Sequence, residues 1–141
     1  MSKNNNHSVL VNGVVFKDNK VLISRRSPDE KHEPGSWTIP GGKVDESEDI
    51  VFNILEKTLK REVMEETGVK VDNNFKLVTN NNFYRSTGQH VIAVVFKCKW
   101  KSGEPKPLDD TVECEWVAED QVRNRKFPPN VKNYILEAFK V

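Results

Sequence analysis

The chain has 141 residues and sets 22 Lys and Arg against 21 Asp and Glu, for a formal net charge of +1. That is the length of one ordinary domain. It has no global charge to draw duplex nucleic acid or an anionic membrane, no apolar run near the roughly 18 residues of a membrane helix, and no secretory leader in its polar opening. Two cysteines, Cys98 and Cys114, are too few for a disulfide framework and lack zinc-ligand spacing, so the composition points to a soluble, cytoplasmic protein.

The Asn-rich residues 1–7 read as a loose tail ahead of a single domain over 8–141. Valine-rich residues 9–16 predict a strand, Asp18-Asn19 a turn, and residues 20–24 the second strand of a hairpin. Pro and Gly punctuate residues 27–42, which predicts a loop with one short extended piece at 37–39. Residues 48–67 predict the one long helix, with Phe52, Leu55, Leu59 and Val63 as its apolar stripe, Asp45 as N-cap and Gly68 as the stop. A strand within 69–78, a polar connection over 80–88, and strands at 91–100 and 111–117 follow. A helical turn at 118–122 and a final helix over 129–139, with Pro129 at its start, complete the chain. Strands around one early helix, closed by another, imply an α/β fold with a mixed sheet covered by helices.

The long helix breaks its own pattern near its end. Continued from Leu55 and Leu59, the apolar face next meets Glu62 and Glu66, with Glu65 beside them. Three carboxylates within one turn repel one another. They also oppose the helix dipole, which disfavours negative charge at a C-terminus. One arginine, Arg61, does not balance them. A hard divalent cation would, because Mg²⁺ takes oxygen ligands and binds through a few carboxylates together with substrate phosphates. Just upstream, Pro40-Gly41-Gly42 allows close approach of backbone to an ion or a phosphate.

Gly42, five residues, Glu48, and then Arg61-Glu62-Val63-Met64-Glu65-Glu66-Thr67-Gly68-Val69 resemble the signature of the Nudix hydrolase family. The resemblance extends from about Ser8 to the final helix. It departs in one place: twelve residues separate Glu48 from Arg61 where the family has seven, and Asn53 stands where the family glutamate is expected. Unbroken periodicity from Phe52 to Val63 places the five extra residues in an N-terminal extension of the helix, the alternative being a bulge between loop and helix. The resemblance implies an α/β/α sandwich and metal-dependent hydrolysis of nucleoside triphosphates or other nucleoside diphosphate-linked compounds, as in MutT-like members. It also implies Mg²⁺ or Mn²⁺ held by Glu62, Glu65, Glu66 and the backbone of Gly41 and Gly42, with Arg61 orienting a carboxylate. Glu62 is the candidate base, and Glu113 or Glu115 on a later strand is the alternative.

For the substrate, Arg25 and Arg26 at a strand end suit phosphate oxygens. The segment Phe127-Pro128-Pro129-Asn130 resembles the one before the last helix of MutT-like proteins, where an asparagine reads a purine edge. Asn130 follows the Pro pair one residue early, which leaves Asn133 as a second option. Tyr84 resembles a tyrosine of dinucleoside polyphosphate hydrolases, which keeps that activity open as an alternative. The five-residue insertion keeps open a non-catalytic nucleotide sensor. The expected partner is a nucleotide, and the resemblance is compatible with a homodimer.

Overall fold

The computed structural model describes residues 7–31 and 33–141. Residues 1–6 of the expected tail lie outside them, and His7, placed in that tail by its sequence, instead opens the first strand.

Alternation of valines builds the first hairpin. β1 (His7–Lys17) turns through Asp18, at φ 57°, into β2 (Lys20–Arg26). Along β1, Val14 and Phe16 face one side of the sheet and Val11 and Val15 the other, the period-two pattern of a strand buried on both faces. β3 (Trp37–Thr38), β4 (Gly41–Lys43), β5 (Lys70–Val71), β6 (Lys76–Tyr84), β7 (His90–Ser102) and β8 (Thr111–Ala118) complete the sheet. Its order is β3-β2-β1-β7-β5, with β8 also pairing β2, β4 pairing β1 and β6 pairing β7. The β1–β7 ladder is parallel, from His7↔His90 to Phe16↔Lys99, and the other ladders are antiparallel. The sheet is therefore mixed.

α1 (Ile54–Thr67) covers one face, where Leu59 and Val63 meet Val11, Val15, Leu22, Phe96 and Cys98. α2 (Glu119–Asn124) and α3 (Pro129–Lys140) cover the other, where Val122, Ile135 and Ala138 meet Val14, Val21, Ile23 and Val95. The result is the expected α/β/α sandwich. No helix among the described residues is long and apolar enough to cross a membrane.

Two expectations are corrected. The long helix begins at Ile54, not at residue 48, so the extra residues form a connection between β4 and α1 rather than a helical extension. Asn53 is left-handed at φ 59°, and a left-handed residue ends a right-handed helical run. Phe52 and Ile50 are 78% and 87% exposed. Phe52 matched the helical spacing but has no surface to bury against, and stripe periodicity without burial does not hold a helix. Residues 80–84, expected as a polar connection, belong to β6, and the turn lies at residues 85–89, where the Arg85 N–H donates to the Gln89 carbonyl at 2.9 Å. Among the described residues β6 pairs only β7, and along it Asn80 and Asn82 are exposed. The asparagines report solvent exposure of side chains, while the backbone pairs normally.

Candidate active site

The site forms where the C-terminal half of α1 meets β4. Gly41 and Gly42 pair with Asn12 and Val11 of β1, which brings their backbone against the carboxylates of α1. A methyl group on Gly42 would stand 2.5 Å from the Glu62 carboxyl carbon, and one on Gly41 would collide with the Val11 carbonyl. Only glycine permits this approach. Gly42→Ala is accordingly expected to push the Glu62 carboxylate out of place and lower turnover by ~10²-fold with the fold retained, checked by kcat beside a thermal melt; unchanged turnover would remove Glu62 from the site.

Glu62 and Glu66, one turn apart on α1, share a hydrogen bond between their carboxyl groups, and the Gly41 N–H donates weakly to Glu66 Oε1 at 3.5 Å. Burial is the main reason the Glu66 carboxyl is pushed up to about 9, with the neighbouring Glu62 adding to it; the Gly41 amide and Arg26 pull the other way. Two carboxyls this close and half-buried share a proton when alone, and a cation between them would let both ionise. A carboxylate pair against a bare glycine backbone is an oxygen donor set that fits a hard divalent ion. Arg61 steadies the cluster, with Nη1 at 3.3 Å from both Glu62 and Glu65 and Nη2 at 3.7 Å from Asp45.

A cleft of about 740 Å³ opens beside this pair, lined by Glu62, Glu66, Gly41 and Gly42 and, farther along, by Phe83, Tyr84, Asn130 and Tyr134. Arg26, Lys31 and Lys43 also line it, so one cleft presents carboxylates and cations together.

The structure gathers some of the sequence-derived candidates and separates others. Glu62, Glu66, Gly42, Arg26, Tyr84 and Asn130 share the cleft. Glu65 lies on its flank, half exposed and held by Arg61. Among the described residues no three His, Cys, Asp or Glu side chains stand together as a preformed metal-binding group. Arg25 is not among the residues lining the cleft; it pairs with Glu113 at 2.8 Å and donates from Nε to the Gly35 carbonyl. Arg25 and Arg26 are adjacent on a strand, so their side chains point to opposite faces. Glu115 forms a two-pronged bond with Arg125 at 2.8 and 2.9 Å, which holds its carboxyl below the ordinary range, and Arg125 in turn lies over the Trp37 ring. Neither Glu113 nor Glu115 lines the cleft, and neither does Asn133.

Sequence reading missed Asn12, Ser24 and Tyr134, all of which line the cleft. Asn12 and Ser24 interrupt otherwise apolar strands, and a polar residue at a buried position, such as Ser24 at 2% exposure, is the signal that could have found them. The Tyr134 ring is buried on the inner face of α3, but its hydroxyl donates to Asn81 Oδ1 at 2.6 Å and faces the cleft wall.

The NUDIX domain family model matches residues 7–139. A "MutT-like protein" of Streptomyces ambofaciens is 31% identical over 119 residues, covering 84% of this chain and 69% of that protein. An "ADP-ribose pyrophosphatase" of Methanocaldococcus jannaschii is 34% identical over 111 residues, covering 77% of this chain and 60% of that protein. Among solved structures, the MutT protein from Methanosarcina mazei Go1 is similar with a TM-score of 0.81 at 25% identity, over 99% of this chain and 97% of that one.

Proposed function

The chain belongs to the NUDIX family and is a hydrolase of phosphorus anhydrides, and from that premise we propose that it cleaves nucleoside triphosphates or other nucleoside diphosphate-linked compounds with the help of Mg²⁺ or Mn²⁺. The observation that carries this reading is the Glu62–Glu66 pair set against Gly41 and Gly42 in the same cleft as Arg26, Lys31 and Lys43. Carboxylates alone would repel a polyphosphate, and cations alone would bind it without activating water. Their combination suits a phosphoanhydride.

Glu62 and Glu66 would hold the ion, with the Gly41 and Gly42 backbone beside them and Glu65 as the third carboxylate that the family pattern supplies. When bound, such an ion neutralises phosphate oxygens and lowers the pKa of water. Arg61 keeps Glu62 and Glu65 oriented through its 3.3 Å contacts. Glu62 takes the proton as water attacks phosphorus and the bridging P–O bond breaks. Glu113 and Glu115 are each engaged by an arginine away from the cleft, which favours Glu62 as the base. Arg26 and Lys31 receive phosphate oxygens. Asn130 offers an amide to a base edge, and Phe83 offers a ring to its face, the Tyr84 ring beside it in β6 lying against His90.

The relatives' names give two substrate types, ADP-ribose and 8-oxo-dGTP. Measuring kcat/KM with Mg²⁺ for canonical and oxidised deoxynucleoside triphosphates, ADP-ribose and dinucleoside polyphosphates separates them. The reading predicts at least one substrate preferred by an order of magnitude or more, with the nucleoside monophosphate among the products. Release of inorganic phosphate from every nucleotide alike would contradict it.

A further inference from the structure

Two of the chain's three histidines meet at the N-terminal end of the parallel β1–β7 ladder, apart from the carboxylates of α1. His7 and His90 are direct partners in register. Their Nδ1 atoms are 3.1 Å apart, and the rings stand edge to face, with centroids 5.1 Å apart and planes at 74°. His90 is fixed from two further sides. The Tyr84 ring stacks on it at 4.8 Å, and the Asn82 carboxamide lies 2.9 Å from its Nε2.

Two neutral imidazoles whose Nδ1 atoms face each other share at most one hydrogen, one ring donating and the other accepting. With both hydrogens on Nε2, two lone pairs converge on one point, and a cation is what satisfies them. Nitrogen ligands at 2.0–2.1 Å from a tetrahedral ion stand about 3.3 Å apart, close to the separation here. Imidazole suits zinc, nickel and copper, whereas magnesium prefers oxygen. We propose that His7 and His90 form a binding site for a divalent transition-metal ion, zinc or nickel by class, distinct from the carboxylate site on α1.

The surroundings fit the requirements of such a site. His90 can donate from Nε2 to the Asn82 side-chain oxygen after the carboxamide turns over, the outer-shell bond that fixes the tautomer of a metal-binding histidine. Among the described residues no third His, Cys, Asp or Glu joins the pair, and His7 is exposed, so water takes the remaining positions. Tyr84 touches both this pair and the cleft, and an ion held here would stiffen that wall. The inference stands independently of the hydrolase reading.

The test is a Zn²⁺ titration of the full chain in excess Mg²⁺, which takes the oxygen ligands and leaves imidazoles free, read by nitrogen NMR of the histidine rings. The Nδ1 signals of His7 and His90 are expected to move together with one midpoint. His90→Ala should raise the midpoint for His7 at least tenfold, and His7→Ala, at the exposed start of β1, should do the same for His90 and serves as the second variant if the first disturbs the hairpin. Separate midpoints for the two rings, coordination through Nε2, or midpoints unchanged in both variants would overturn the proposal.

Discussion

Glu66→Gln is expected to lower kcat by about 10²–10⁴-fold, the range that one acid–base or charge-stabilising group supplies. The substitution keeps the shape of the side chain and its hydrogen-bonding capacity toward Gly41, so the fold should persist and KM should change less than kcat. The reason is charge. Glu66 is the carboxylate that shares a hydrogen bond with Glu62 and faces the Gly41 amide, and removing it halves the negative charge that the pair offers to a divalent ion. Glu113→Gln provides the contrast: its partner is Arg25, outside the cleft, and kcat should stay near wild type. Equal losses in both variants would move the chemistry toward β8, and wild-type turnover in Glu66→Gln would remove α1 from it.

The second large effect is on stability without metal. The Glu66 carboxyl sits at about 9 in the fold against an ordinary 4.5. Between those values the folded chain keeps a proton that the unfolded chain releases. The unfolded state then binds fewer protons, and the stability of the fold falls as pH rises through that window. Glu115 acts in the opposite sense and elsewhere. Its hydrogen bonds to Arg125 lower its pKa, so its contribution is present above the ordinary carboxylate range and lost as pH falls through the depressed value. The chelator-treated protein should therefore show a melting temperature that declines from pH 6 to pH 9. Glu66→Gln, which does not titrate, should flatten that decline and be more stable than wild type at pH 8 by about 1–3 kcal/mol, because wild type alone must hold a proton there that its unfolded chain has released. Mg²⁺ should raise the wild-type melt at pH 8 and raise the variant less. A variant that declines in parallel with wild type would show that Glu66 does not titrate in this window.

Much of this was legible in the residues, and the exceptions have physical causes. Val14, Val15, Val21 and Val95 announced their strands by composition, and all are buried. Glu62 and Glu66 stood out because they occupied positions where the helical stripe of Leu55, Leu59 and Val63 called for apolar side chains. The start of α1 was misread because Phe52 fell on the same spacing by coincidence; exposure cannot be read from period, and only the left-handed Asn53 marks the true boundary. β6 was cut short because Asn80, Asn81 and Asn82 look like a turn, although an edge strand tolerates polar side chains at its open side. β4 was hidden for the opposite reason, since glycines that pair through backbone leave no side-chain pattern. Arg25 and Glu113 were drawn toward the site by type alone, and the alternation of a strand, invisible until its faces are known, sends them away from the cleft.

The most direct measurement of the central claim is phosphorus NMR of a nucleoside diphosphate-linked panel incubated with the full chain and Mg²⁺ or Mn²⁺, with and without chelator. The account predicts metal-dependent appearance of a nucleoside monophosphate and its complementary phosphate product, abolished by chelator and reduced at least a hundredfold by Glu66→Gln. No cleavage of any member of the panel with either ion, or cleavage indifferent to both chelator and Glu66, would contradict it.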